Sequence, residues 1–179
     1  QIYPDQARLT CVHGVAETGT ALCRADIDKL AFTGSAATGK KVMAACADNL
    51  TPVVIEAGGK DAFLVDHDAD LAAAADAAAW GAFSNAGQTC IGTERIYVHE
   101  RAYDSFLSEL MKATEGVRAA AGAKLGPMTM ESQVAVVKSH IDDALALGGR
   151  ALIGGEGAVG SRFIQPTILV DVPEESLAI

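Results

Sequence analysis

Three short stretches of this chain bring together residues able to do chemistry. The first ends in a thiol: Asn85-Ala86-Gly87-Gln88-Thr89-Cys90 follows an alanine-rich run and places a cysteine just past a glycine turn. Thiolate is the nucleophilic form, so a cysteine so placed can attack an electrophilic carbon if a base or positive potential lies nearby. The competing reading is a small buried hydrophobe, which suits Cys11, Cys23 and Cys46 better. The second stretch, Val53-Val54-Ile55-Glu56-Ala57-Gly58-Gly59-Lys60, is a strand ending in a carboxylate and two glycines. Ligands in open α/β sheets lie beyond the carboxyl ends of strands, and partial desolvation there raises a carboxyl toward a general base's range. Glu56 could equally pair with Lys60 or cap a helix. The third, Phe32-Thr33-Gly34-Ser35-Ala36-Ala37-Thr38-Gly39, runs from an apolar strand into a helix. Free N–H groups at such a helix start suit a phosphate, although a plain serine-capped junction gives the same pattern and the stretch is not G-x-G-x-x-G.

Other constellations carry less. His13, His67, His99 and His140 have no mutual spacing, and no His/Cys cluster stands at metal-ligand spacing, so no metal is expected. Asp66, Asp68 and Asp70 lack the glycine and glutamate of a calcium loop and read as helix caps. Trp80 reads as core packing.

The elements that must position these residues alternate short apolar runs with amphipathic ones, the pattern of α/β construction. Strands are expected at 30–33, 53–56, 62–65, 95–99, 151–153 and 167–170. Continuous apolar runs predict strands covered on both faces. Helices are expected at 38–49, 70–83, 103–117 and 131–147, with a further helical stretch near 19–24. The segment 119–127, rich in glycine and small residues, predicts an exposed loop. The chain has 179 residues, is 50% hydrophobic and carries a formal net charge of −9. That acidity argues against nucleic acid and anionic membrane as partners. Four scattered cysteines are not a disulfide framework, and no leader is visible in Gln1–Asp5, so a reducing, cytoplasmic setting is expected. A helical stretch at 19–24 with no strand before it, and a last strand with nothing after it to cover it, suggest a piece of a longer protein.

Taken in order, the motifs resemble the aldehyde dehydrogenase superfamily. Phe32-Thr33-Gly34-Ser35 with Gly39, then Glu56-Ala57-Gly58-Gly59-Lys60, then Gly87-Gln88-Thr89-Cys90, then Arg95-Ile96-Tyr97-Val98 follow the family's order, and Glu56 and Cys90 lie 34 positions apart. Leu125-Gly126-Pro127-Met128 and Phe163-Ile164-Gln165-Pro166-Thr167 are similar to later family segments. The resemblance implies the end of a Rossmann-type cofactor domain at 1–57, followed by most of an α/β catalytic domain at 58–179. It implies NAD or NADP as cofactor, held at Gly34, Ser35, Gly39, Ala57 and Gly58. Ala57 departs from the family's usual leucine, which loosens one wall of the nicotinamide site.

The activity so implied is oxidation of an aldehyde to a carboxylic acid. Cys90 would form a thiohemiacetal and then a thioester, and Glu56 would activate the hydrolytic water. Glu56 also favours hydrolysis over acylation of coenzyme A. The family's upstream asparagine and lysine and its downstream E-x-F-G-P motif do not occur in these residues. The 179-residue chain alone is therefore expected to be a poor enzyme, and the full-length protein a homo-oligomer. Rival readings are a noncatalytic fragment or assembly module of the same fold, and an unrelated thiol hydrolase, which would show thiol reactivity without nicotinamide.

Overall fold

The structure, a computed structural model, describes residues 9–179; the stretch Gln1–Asp5 lies outside them. The chain divides into two compact units, the first ending at Gly58 and the second beginning at Gly59.

The first unit is a small βαβ arrangement. Helix α1 (Ala16–Cys23) precedes strand β1 (Leu30–Gly34), helix α2 (Ala36–Ala47) and strand β2 (Val53–Ala57). The two strands pair in parallel, Leu30 opposite Val53 through Gly34 opposite Ala57. A parallel pair requires a crossover, and α2 supplies it. Its start is fixed by Ser35, whose Oγ accepts the Thr38 N–H at 3.2 Å. Cys23, Leu30 and Cys46 form the core, with Phe32, Val42 and Val53 packed against them. Gly39 belongs to this packing: a Cβ there would lie 3.2 Å from Ile55 Cγ2, a tight contact that would press Ile55 back by a few tenths of an ångström.

The second unit opens with a parallel crossover of its own. Strands β3 (Asp61–Val65) and β4 (Thr93–Val98) flank helix α3 (Leu71–Phe83) and run parallel. Asp70 caps α3 by accepting the Ala73 N–H at 3.1 Å, a favourable use of a carboxylate at the positive end of a helix. Helix α4 (Tyr103–Thr114) packs on α3. Val65, Ala75, Ala78, Phe106, Leu110 and Ile168 make up most of the buried core. Helix α5 (Glu131–Ala146) then leads to strands β5 (Arg150–Ile153) and β6 (Ile168–Val170), which pair antiparallel.

Several expectations need correcting. The strands are not covered on both faces: Leu64 is 76% exposed, and Val54 and Tyr97 are also exposed, because each crossover helix lies over one face of its pair. Trp80 is 75% exposed rather than in the core. The inward stripe of α3 is filled by Ala75, Ala78 and Ala79, which leaves the bulky indole outside. Cys11 is exposed, not buried. The 119–127 segment, by contrast, is a loop exposed over most of its length, as expected. Ala119 bridges Leu125, both are buried, and the Gln165 amide accepts the Ala119 N–H at 3.1 Å and donates to its carbonyl at 2.9 Å.

Candidate active site

In the first unit, parallel register gathers the predicted residues at one edge. Thr33 lies opposite Glu56 and Gly34 opposite Ala57, so Gly34-Ser35 and Glu56-Ala57-Gly58 leave the carboxyl ends of adjacent strands side by side. In open α/β sheets ligands lie beyond this end of the strands. Glu56 is exposed, which corrects the expectation of a partly desolvated carboxyl: within its unit no described element covers that edge. It does not pair with Lys60, whose ammonium stands 3.6 Å from Glu94. The Ser35 hydroxyl accepts from Thr38 and donates to the Thr38 hydroxyl at 3.0 Å. The Gly39 N–H donates to the Ser35 carbonyl at 2.8 Å, which leaves the N–H groups of Ala36 and Ala37 ahead of the helical ladder. Two unclaimed donors and the positive end of a 12-residue helix fit an anionic diphosphate. Gly39, expected at the cofactor, faces Ile55 in this unit.

Cys90, in the second unit, is exposed on the turn between α3 and β4. The backbone leading to it is unusual. Asn85, Ala86 and Gly87 all have positive φ, at 53°, 57° and 75°, a run that costs a non-glycine residue roughly 1–2 kcal/mol per position. Side chains hold it in place. Asn85 Nδ2 donates to the Gln88 carbonyl, and Gln88 Nε2 donates back to the Asn85 carbonyl, both at 3.0 Å. Gln88 Oε1 accepts the Thr129 N–H at 2.8 Å, tying the turn to the segment before α5. Met128 in turn donates its N–H to the Arg162 carbonyl at 2.7 Å and accepts from the Arg162 guanidinium at 2.8 Å.

Two glycines bring the turn close to α3. A Cβ on Gly81 would sit 2.6 Å from Thr93 Oγ1, and one on Gly92 would sit 3.2 Å from the Thr89 carbonyl. The start of β4 therefore lies against a bare place on the helix. Arg95 fixes the other side, donating to the Lys60 carbonyl at 2.7 Å and 3.1 Å. Sequence reading passed over Gln88, Gly81 and Gly92 as site-building residues. For Gln88 the signal was present, an amide in the thiol-bearing motif.

The buried thiols, Cys23 and Cys46, differ from Cys90, whereas Cys11 is exposed as well. Burial, reinforced by the neighbouring Cys23 thiol, pushes the Cys46 thiol up, away from the reactive form. An apolar groove of about 530 Å³ in the second unit is walled by Ala86, Gly87, Tyr103, Ile141 and Ile168, but Cys90 does not line it. Replacing Gln88 by alanine is expected to cost about 1 kcal/mol locally and to speed deuterium exchange at the Thr129 amide several-fold, with the helices unchanged. Unchanged exchange there would mean that Gln88 does not hold the turn.

The sequence model of the aldehyde dehydrogenase family matches residues 4–179. The glutarate-semialdehyde dehydrogenase of Pseudomonas aeruginosa is 41% identical over 156 residues, which cover 84% of this chain and 32% of that protein. The NADP+ succinate-semialdehyde dehydrogenase of Escherichia coli is 42% identical over 152 residues, 82% of this chain and 32% of the relative. Among solved structures, succinate-semialdehyde dehydrogenase from Burkholderia pseudomallei superposes with a TM-score of 0.86 at 39% identity, over 93% of this chain and 36% of that one. The chain thus spans about a third of the length of the relatives it matches. Matched over nearly all its residues and in its fold, the chain belongs to the aldehyde dehydrogenase family.

Proposed function

We propose that the protein carrying this chain oxidises an aldehyde to a carboxylic acid with NAD+ or NADP+, using Cys90 as nucleophile and Glu56 as general base. The observation that carries the reading is the turn of Cys90: an exposed thiol on a left-handed backbone run, pinned by Gln88 and seated against glycines. A structure that spends strain and hydrogen bonds on one exposed cysteine favours a preorganised nucleophile over a packing residue.

The Cys90 thiolate adds to the aldehyde carbon and forms a C–S bond. The carbonyl oxygen becomes an oxyanion, for which the Cys90 N–H, unclaimed by any hydrogen bond among the described residues, is a donor. A bound nicotinamide would accept the hydride that leaves that carbon, and a thioester on Cys90 results. Glu56 takes a proton from water, the resulting hydroxide adds to the thioester, and the C–S bond breaks to release the acid and restore the thiolate. The Ala36 and Ala37 N–H groups with Gly34 and Ser35 would hold the cofactor's diphosphate, and Ala57 and Gly58 would border its nicotinamide end. The E. coli relative's name specifies NADP+; for this chain the cofactor is NAD+ or NADP+. The semialdehyde relatives support a small aldehyde as substrate. A cytoplasmic homo-oligomer is the setting we propose for the full-length protein.

The test is trapping. Glu56→Gln in the full-length protein, given aldehyde and NAD(P)+, is expected to build up an acyl adduct on Cys90, seen by intact mass and peptide mapping. Its steady-state rate should fall by roughly 10²–10⁴-fold, the usual worth of a general base. If the variant turns over at the parent's rate and no adduct forms, Glu56 is not the base. If the parent labels at Cys90 with no dependence on nicotinamide, the thiol-hydrolase reading replaces this one.

A further inference from the structure

Two histidines 32 positions apart in the sequence meet in the fold. Strands β3 and β4 are parallel, with Val65 opposite Val98 as their last pair. The chains leave that end together as Asp66-His67 and as His99. The His99 N–H donates to the Val65 carbonyl at 2.9 Å and holds the two exits in line. The imidazoles of His67 and His99 lie 5.2 Å apart between centroids, tilted by 48°. Asp66 Oδ1 is 2.9 Å from His67 Nδ1 and accepts the His67 backbone N–H at 2.7 Å. One ligand atom from each of Asp66, His67 and His99 lies within 4.8 Å of the others. No other such cluster of three occurs among the described residues.

We infer that Asp66, His67 and His99 form a binding site for a divalent first-row transition ion, with Zn2+, Ni2+ and Cu2+ as the class that suits two imidazoles and a carboxylate. Ligands around such an ion stand about 3.4 Å apart for bonds near 2.1 Å, a contraction that rotation of exposed side chains supplies without moving the strands. Asp66 Oδ1 and His67 Nδ1, 2.9 Å apart, face each other at this corner, so ion binding exchanges their hydrogen bond for two metal bonds. His99 Nδ1 accepts the Arg101 backbone N–H at 3.1 Å, so coordination there gives up one hydrogen bond. Bulky apolar ligands are not served by this open corner, and hard oxygen-seeking ions need more carboxylates than it offers. Three protein ligands leave positions for water, so the ion exchanges readily. The site stands at the far end of β4 from the Cys90 turn, ~20 Å along the strand by its rise per residue. It is therefore separate from the proposed chemistry and does not depend on it.

The experiment is a Zn2+ titration of the full chain, followed by imidazole C–H resonances and by calorimetry. Cys11→Ser and Cys90→Ser remove the exposed thiols that would compete. The expected result is one site per chain, with the His67 and His99 signals moving together while His13 and His140 stay still. His67→Gln and His99→Gln should each weaken binding tenfold or more, and Asp66→Asn several-fold. Co2+ in place of Zn2+ should show visible bands of a low-coordinate nitrogen–oxygen site without the thiolate charge-transfer band. Independent movement of the two signals, or undiminished affinity in His67→Gln, overturns the site. Because the resonances are read on the unsubstituted histidines, a variant that folds poorly does not shield the inference.

Discussion

Cys90→Ala is expected to lower aldehyde-dependent NAD(P)H formation by the full-length protein by at least about 10³-fold, since removing a covalent nucleophile leaves only what binding and positioning provide. Cys90→Ser should fall nearly as far. A hydroxyl on the same turn keeps the size of the side chain but not the acidity that makes thiolate at neutral pH. Folding should survive both changes, because Cys90 is exposed and contributes nothing to the core. The comparison that gives the experiment its force is Cys11→Ala, an exposed thiol in the other unit, which should leave the rate unchanged. Rates measured with saturating aldehyde and nicotinamide decide it. If Cys90→Ala retains a tenth or more of the parent's rate, the covalent mechanism is wrong.

Phe106→Ala should have the largest effect on stability, about 3–5 kcal/mol. Its ring is 1% exposed and is the largest fully buried side chain among the described residues. It sits where α4 meets α3, in contact with the cluster of Val65, Ala78 and Leu110. Ala75, Ala78 and Ala79 in that cluster are too short to reach into the space the ring would leave, so part of the cavity remains. Denaturant unfolding of the protein, with Leu64→Ala as an exposed control, measures the difference. A loss below about 1 kcal/mol would show that the second unit repacks freely around the position.

Local pattern made most of the elements legible. Each expected strand has its counterpart, from Leu30–Gly34 to Ile168–Val170, and each helix lies within a few residues of its expected bounds. Caps were readable for the same reason: Ser35 and Asp70 act through bonds three residues away. What the sequence hid is what depends on register and on direction. His67 and His99 meet only because β3 and β4 pair in parallel with Val65 opposite Val98, and no spacing rule in one dimension encodes that. Trp80 was misread because α3 is apolar nearly all round, so periodicity gives its indole no preferred side. The bonds of Gln88 to Thr129, 41 positions away, were equally out of reach, although the motif around Cys90 was not. Glu56 was found by its motif while its surroundings were not, since burial depends on what covers a strand end.

The alanines of α3 have a consequence for how this sequence can drift. Ala75 and Ala78 are essentially without exposure, and Gly81 has Thr93 where its side chain would be. A helix lined with such small groups approaches its neighbours closely, and no larger side chain fits there without pushing them apart. Larger residues on that stripe are therefore expected to destabilise the unit. The opposite stripe, with Trp80 in solvent, is open to nearly any replacement that keeps a helix. One element thus carries two expected tolerances to substitution: a low one where its thinness sets the thickness of the unit, and a higher one where it meets water.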